Sequence, residues 1–249
     1  MALDNNQIGV PFIELQSVES TNNYAMALVH EGMARHGTAV FAHEQTKGKG
    51  QRNKQWLTNK SENIILSVVL EPWDLVLSQS FQLSMAIALA TYRFFNKYAG
   101  EETKIKWPND IYWRDRKAAG ILLENVLQGS SWKYAIIGIG ININQSQFGE
   151  LSHKAVSLKQ ITGKEYSVVL MAQELCNEIA FAFNALKQDA EQIAVAYHQC
   201  LYKINNVVKL KKENRVFDTT IKGVTSLGQL VTYRSTEELF DIGEVEWII

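Results

Sequence analysis

The chain has 249 residues, 46% hydrophobic and 20% charged, with 25 Lys and Arg against 26 Asp and Glu. That near cancellation excludes nucleic-acid binding driven by total charge, though not by a local basic patch. The apolar share, with only 3 Pro and 15 Gly, excludes a disordered or collagen-like chain, and no apolar run approaches the roughly 20 residues of a membrane helix.

The N-terminus carries neither a basic start nor an apolar h-region, so no secretion signal is read there. Ser20 and Thr21 then predict a capped helix through Met26 and Leu28, ended by Gly32. Residues 37–42 read as a buried strand running into a polar loop over 44–60, and residues 64–70 as a second strand closed by Pro72. Helical spacing follows from Ser78 or Ser80 to about Tyr98, with Gly100 as the stop. Three strands are expected over 104–113, 117–126 and 132–143, the first two joined by a hairpin at residues 114–116 that lacks a glycine.

A second helical block covers 168 to about 202, with a break near Gln188 and Asp189. Cys176 and Cys200 fall inside it, form no CxxC pair, and read as buried thiols of a reducing compartment. From residue 207 onward, short strands are separated by Gly223, Gly228 and Gly243, the pattern of a small β-barrel or sandwich. The expectation is a cytoplasmic α+β protein with a larger domain over 1–203 and a small all-β domain over 204–249 that packs against it.

Common signatures fail. Gly48–Asn53 and Gly138–Ile143 begin like dinucleotide fingerprints but lack the third glycine, and P-loop, HExxH and GxSxG patterns are missing from the sequence. Three segments remain. Residues 44–56 place two glycines, four cations and Trp56 in one loop, which suits an anion beside a flat ring or, equally, a solvated basic loop. Residues 104–110, Lys-Ile-Lys-Trp-Pro-Asn-Asp, put Lys104 and Lys106 on one face and end a strand at Pro108. If the following hairpin forms, Asp110 lies opposite Gly120 and Lys117 returns to the same sheet; the alternative is a hairpin with ordinary surface charges. Residues 138–144 form a strand with two glycines, where a ligand or a backbone can approach closely.

Taken in order, Glu19-Ser20-Thr21-Asn22, residues 45–56, Lys106-Trp107-Pro108-Asn109-Asp110, Arg116-Lys117-Ala118-Ala119-Gly120-Ile121-Leu122 and residues 138–142 closely resemble the successive motifs of biotin protein ligases. The resemblance spans most of residues 15–145. It implies a mixed β-sheet flanked by helices, of the class II synthetase and biotin/lipoate ligase kind, and a C-terminal SH3-like β-barrel. It further implies a two-step reaction: biotin and Mg-ATP give biotinyl-5′-AMP and pyrophosphate, and a lysine of the biotin carboxyl carrier protein of acetyl-CoA carboxylase then takes the biotin and releases AMP.

By the same resemblance, Ser20, Thr21, Asn22 and Gln45 meet the biotin ureido ring, with Gly48, Lys49, Gly50, Gln51, Lys117 and Gly120 completing the biotin site. Arg52, Trp56, Lys106, Asn109, Asp110 and Asn142 form the nucleotide side, with Mg2+ near Asp110. Lys117, Arg52 and Asp110 carry the chemistry. The basic loop departs from the family's Gly-Arg-Gly-Arg-Arg-Gly-Arg, reading Gly48-Lys49-Gly50-Gln51-Arg52-Asn53-Lys54, so charge is kept where the bidentate guanidinium fork is not.

Some family members carry an N-terminal DNA-binding domain. About twenty residues precede Ser20, so the expectation is ligase activity without DNA or membrane binding, in a monomer or a homodimer. The alternatives are a lipoate–protein ligase, whose dithiolane gives a Ser-Thr-Asn cluster less to do, and a non-catalytic biotin-binding protein.

Overall fold

The structure, a computed structural model, describes residues 7–72 and 75–248. Its larger sheet is assembled from β1 (Phe12–Leu15), β2 (Ala39–Ala42), β3 (Asn63–Leu70), β4 (Thr103–Lys106), β5 (Asp110–Trp113), β6 (Arg116–Gln128) and β7 (Ser131–Asn142). The spatial order is β1-β2-β3-β7-β6-β5-β4. Only β1 and β2 pair in parallel; every other neighbouring pair in this sheet is antiparallel, so it is mixed.

Helices cover both faces. α1 (Thr21–His30) lies on one, while α2 (Ser80–Ala99) and α4 (Val168–Gln188) cover the other, with the short α3 (Leu158–Thr162) and α5 (Ala190–Gln199) beside α2. β3 shows why its apolar run still has two faces: Ile64, Leu66, Val68 and Leu70 enter the main core, while Val69 packs under α1 with Ala25, Leu28 and Val40. Burying both faces of a central strand is what makes its sequence read as continuously hydrophobic.

Local chemistry sets the boundaries. Asp189 leaves helical geometry at φ −155° and ψ 94°, and its Oδ1 accepts from Gln192 N–H at 2.9 Å, so one residue ends α4 and caps α5. α2 stops at Gly100, whose φ of 78° suits glycine. The expected strand over 104–113 is in fact two, β4 and β5, folded into a hairpin at Trp107-Pro108-Asn109 because Pro108 cannot continue the ladder. The glycine-free hairpin from β5 to β6 does form, with Arg114 taking the left-handed conformation at φ 53°.

Sequence reading overlooked β1 and α3, both short, and one strand of the tail. That tail is a five-stranded antiparallel sheet of β8 (Val207–Lys212), β9 (Arg215–Val224), β10 (Leu230–Tyr233), β11 (Glu237–Phe240) and β12 (Glu246–Ile248), ordered β11-β10-β9-β8-β12, as an SH3-like module requires. β11 escapes notice because Glu-Glu-Leu-Phe is half acidic. The tail meets the β4–β5 turn and the end of α5 through specific contacts. Trp107 Nε1 donates to Gly228 O at 2.8 Å, Val224 N–H donates to His198 Nε2 at 3.0 Å, and Tyr202 packs on Trp247.

Candidate active site

Between α1, the centre of the large sheet and the basic loop lies an open cleft. Of the residues expected at a site, Ser20, Thr21, Asn22, Gln45, Lys49, Gly50, Gln51, Trp56, Asn109, Lys117 and Gly120 line it. The others named in advance, Gly48, Arg52, Lys106, Asp110 and Asn142, are not among the residues that line it.

One end, the neutral one, is polar and lined by uncharged hydroxyls and amides, although the Glu124 carboxylate supports it. Ser20, Thr21 and Asn22 are buried at the first turn of α1, where free backbone N–H groups need partners. Thr21 N–H donates to Gln45 Oε1 at 2.8 Å, so a side chain from the loop holds the helix start. Thr21 Oγ1 lies 3.1 Å from the same oxygen. Asn22 Nδ2 donates to Glu124 Oε2 at 2.7 Å, and Ser67 Oγ sits 2.5 Å from Asn22 Oδ1 and 2.7 Å from Thr21 Oγ1. Neither Ser67 nor Glu124 was foreseen. The signal for Ser67 was a single hydroxyl inside an eight-residue apolar strand; that for Glu124 was an acid in mid-strand.

Gly138 makes room for this network, since a Cβ there would fall 2.4 Å from Asn22 Oδ1.

The other end is cationic. The register places Asp110 opposite Gly120 and Tyr112 opposite Lys117. Lys117 Nζ sits 2.7 Å from Asp110 Oδ1. The pairing is ionic rather than a well-directed hydrogen bond, which leaves that buried oxygen without a hydrogen-bond partner. Lys106 is half-buried, its ammonium 4.6 Å from the Tyr112 ring centroid and 5.4 Å from that of Trp247 in the tail. Burial lowers its pKa to about 8, opposed by Asp110 and reinforced by Lys117 and Lys54. Asn109 Nδ2 donates to Ile121 O at 2.5 Å, fixing the turn before Asp110.

A glycine shelf joins the ends. Gly120 and Gly140 are register partners on β6 and β7, and the Trp56 indole lies on them; a Cβ on Gly140 would be 2.3 Å from Trp56 Cε2. Trp56 Nε1 is buried without a partner, and Lys117 Nζ stands 5.5 Å from the ring. Gly48 serves the loop rather than the cleft: it accepts from Trp56 N–H at 3.0 Å, and a Cβ there would collide with Trp56 O. Lys49 reaches Glu124 at 3.6 Å.

Two expected residues point elsewhere. Asn142 Nδ2 lies 3.1 Å from Val156 O and 3.4 Å from Lys117 O, tying the Lys117 backbone to β7. Arg52, in the left-handed region at φ 56°, packs against Gly243 of the tail, where a Cβ would be 2.7 Å from its Cζ.

A mixed sheet with a helix-capped polar cleft on one face and a small β module beside it defines the biotin and lipoate ligase class of fold. Residues 14–142 match the Biotin/lipoate A/B protein ligase family, and the chain belongs to that family. It is 35% identical over 161 residues to the bifunctional ligase/repressor BirA of Bacillus spizizenii, covering 64% of this chain and 49% of that one. It is 36% identical over 132 residues to the biotin–[acetyl-CoA-carboxylase] ligase of Paracoccus denitrificans, covering 52% and 53%. Its aligned part thus spans about half the length of these curated relatives. The biotin protein ligase from Aquifex aeolicus, solved in complex with biotin and ATP, superposes with a TM-score of 0.78 at 25% identity, covering 94% of this chain and 97% of that one.

Proposed function

We propose that the chain is an ATP-dependent biotin–protein ligase that forms biotinyl-5′-AMP and passes biotin to a lysine of a biotin carboxyl carrier domain. One observation carries this reading: a single cleft joins a buried neutral cluster of hydroxyls and amides to a lysine-rich end. The cluster supplies donors and acceptors for a cyclic urea, which needs both. A dithiolane would leave those groups unpaired at roughly 1–3 kcal/mol each, which disfavours lipoate.

Lys117 stands where a carboxylate and an α-phosphate would meet, and Asp110 holds its ammonium in place. In adenylation the biotin carboxylate oxygen attacks the α-phosphorus and pyrophosphate departs. Lys117 and Lys106 offset the charge of the reacting oxygens, preorganised on strands rather than on a flexible chain. The basic loop and Trp56 close the cleft and keep water from the mixed anhydride. In the second step a carrier lysine amine attacks the acyl carbon and AMP leaves.

Among the described residues, no cluster of three or more His, Cys, Asp or Glu side chains could hold a metal alone. Mg2+ bound with a nucleotide needs only one or two carboxylates plus phosphate oxygens, and Asp110 fits that smaller requirement. When bound, the ion would neutralise phosphate charge. We further propose that residues 1–203 and 204–249 form the catalytic domain and its SH3-like companion, and that the carrier belongs to a carboxylase. No helix among the described residues is long and apolar enough to cross a membrane.

The test is transfer itself: the purified chain, biotin, ATP and an isolated carrier domain should give a biotinylated carrier by mass spectrometry. Substituting the carrier's acceptor lysine by arginine should abolish it. An unmodified wild-type carrier would overturn the reading.

A further inference from the structure

We propose that Ser67, a residue outside the expected site, sets the hydrogen-bond polarity of the neutral end of the cleft and thereby its preference for a cyclic urea. The inference rests on the biotin reading above and concerns how that site selects its ligand.

Ser67 is completely buried at the middle of β3, and its register partner on β7 is Gly138. A hydroxyl has one proton to give. Asn22 Nδ2 donates to Glu124, which turns Asn22 Oδ1 toward Ser67 at 2.5 Å. That amide oxygen can only accept, so the Ser67 proton goes to it. The Thr21 hydroxyl then faces two acceptors, Ser67 Oγ at 2.7 Å and Gln45 Oε1 at 3.1 Å, and its proton is drawn into the protein. What Thr21 turns to the cleft is a lone pair. An N–H donor satisfies that lone pair; a dithiolane brings none. Ser67, which is not among the residues lining the cleft, therefore acts as a positioning residue.

A bare Cα at Gly138 is part of the device, because a Cβ would push Asn22 Oδ1 away from Ser67. Losing the Ser67 hydroxyl leaves the Thr21 proton only the longer contact to Gln45 Oε1 at 3.1 Å, so its orientation is held less firmly, and leaves Asn22 Oδ1 buried without a donor.

The test is calorimetric titration of biotin, desthiobiotin and lipoate into the wild-type chain, Ser67→Ala, Ser67→Cys, Thr21→Val and the Ser67→Ala/Thr21→Val double variant. The KM for ATP and the melting temperature are measured alongside. Desthiobiotin keeps the urea and lacks the thioether ring. Ser67→Ala should weaken biotin and desthiobiotin alike, by about 10- to 100-fold. It should leave the ATP KM within about twofold and lipoate binding unchanged. Ser67→Cys, which keeps a weak donor of similar size, should fall between and carries the comparison if the alanine variant melts early. The double variant should be about as weak as Thr21→Val alone, since both changes remove one interaction.

Biotin affinity within twofold of wild type, fully additive losses, or equal losses for biotin and ATP would each overturn the assignment while leaving the ligase reading intact. A wild-type chain that binds no biotin would overturn both.

Discussion

The two ends of the cleft are built on opposite plans. At the neutral end Ser20, Thr21, Asn22 and Ser67 are all nearly or wholly buried, and the Thr21, Asn22 and Ser67 side chains bond one another, Gln45 or Glu124. At the cationic end Lys117 remains about one-third exposed, Lys106 is held among aromatic rings, and Asp110 is the nearest counter-charge. A closed hydrogen-bond network gives geometry, and therefore selectivity, while charges gathered before their ligand arrives give rate. The cleft separates recognition from chemistry along its length, and substitutions at the two ends should separate in the same way.

The largest effect is expected at the cationic end. Lys117→Ala should fold normally, because an ammonium that keeps about one-third of its surface in water contributes little to the core, yet biotinyl-AMP formation should fall about 10²–10³-fold, some 3–4 kcal/mol. Single-turnover adenylation by the purified variant checks this, and near-normal rates would remove Lys117 from the mechanism. At the neutral end Thr21→Val should raise the biotin KM about tenfold or more and narrow the preference over lipoate, with the ATP KM nearly constant. Steady-state kinetics with each substrate varied would show the reverse split if the ends were wrongly assigned.

The third comparison uses pH. Lys106 titrates at about 8 rather than at the usual lysine value, so its charge is present below pH 8 and lost above it. The ATP KM should therefore rise as pH passes 8, and Lys106→Arg, charged throughout, should flatten that rise. Stability runs the other way. Above pH 8 the unfolded chain binds a proton that the folded chain has released, so this residue's contribution improves until about pH 10.5, the ordinary lysine value. Melting temperatures of wild type and Lys106→Met across that window report it. The smallest effect is expected at Arg52, whose side chain lies against Gly243 rather than in the cleft. Arg52→Ala should change adenylation by no more than a few-fold, and a loss approaching that of Lys117→Ala would place its guanidinium on the phosphates.

Legibility in the sequence followed the physics of each segment. Helix ends were readable because Ser20, Gly100 and Asp189 act locally as caps and stops. The opposition of Asp110 and Gly120 was readable only to within a residue. The hairpin fixes Trp113 opposite Arg116 and Tyr112 opposite Lys117, and a register shift between Ile111 and Tyr112 brings Gly120 rather than Ala119 across from Asp110. The hairpin at Trp107-Pro108-Asn109 was not, since a proline inside an apolar run allows an edge, a bulge or a turn, and only the pairing of β4 with β5 decides. Ser67 was hidden for a related reason. In a strand buried on both faces the alternation that marks which side chains meet a ligand disappears, so its hydroxyl gained meaning only once α1 was laid across it. The reach of Arg52 to Gly243 depends on where the second sheet packs, which no local pattern encodes.

The claim that this cleft activates biotin is tested most directly by exchange of labelled pyrophosphate into ATP, measured with biotin and separately with lipoate as the only added acid. Exchange that depends on biotin, falls to background with lipoate and disappears in Lys117→Ala is the predicted result. Exchange supported equally by lipoate, or biotin-dependent exchange that survives Lys117→Ala, would contradict the account.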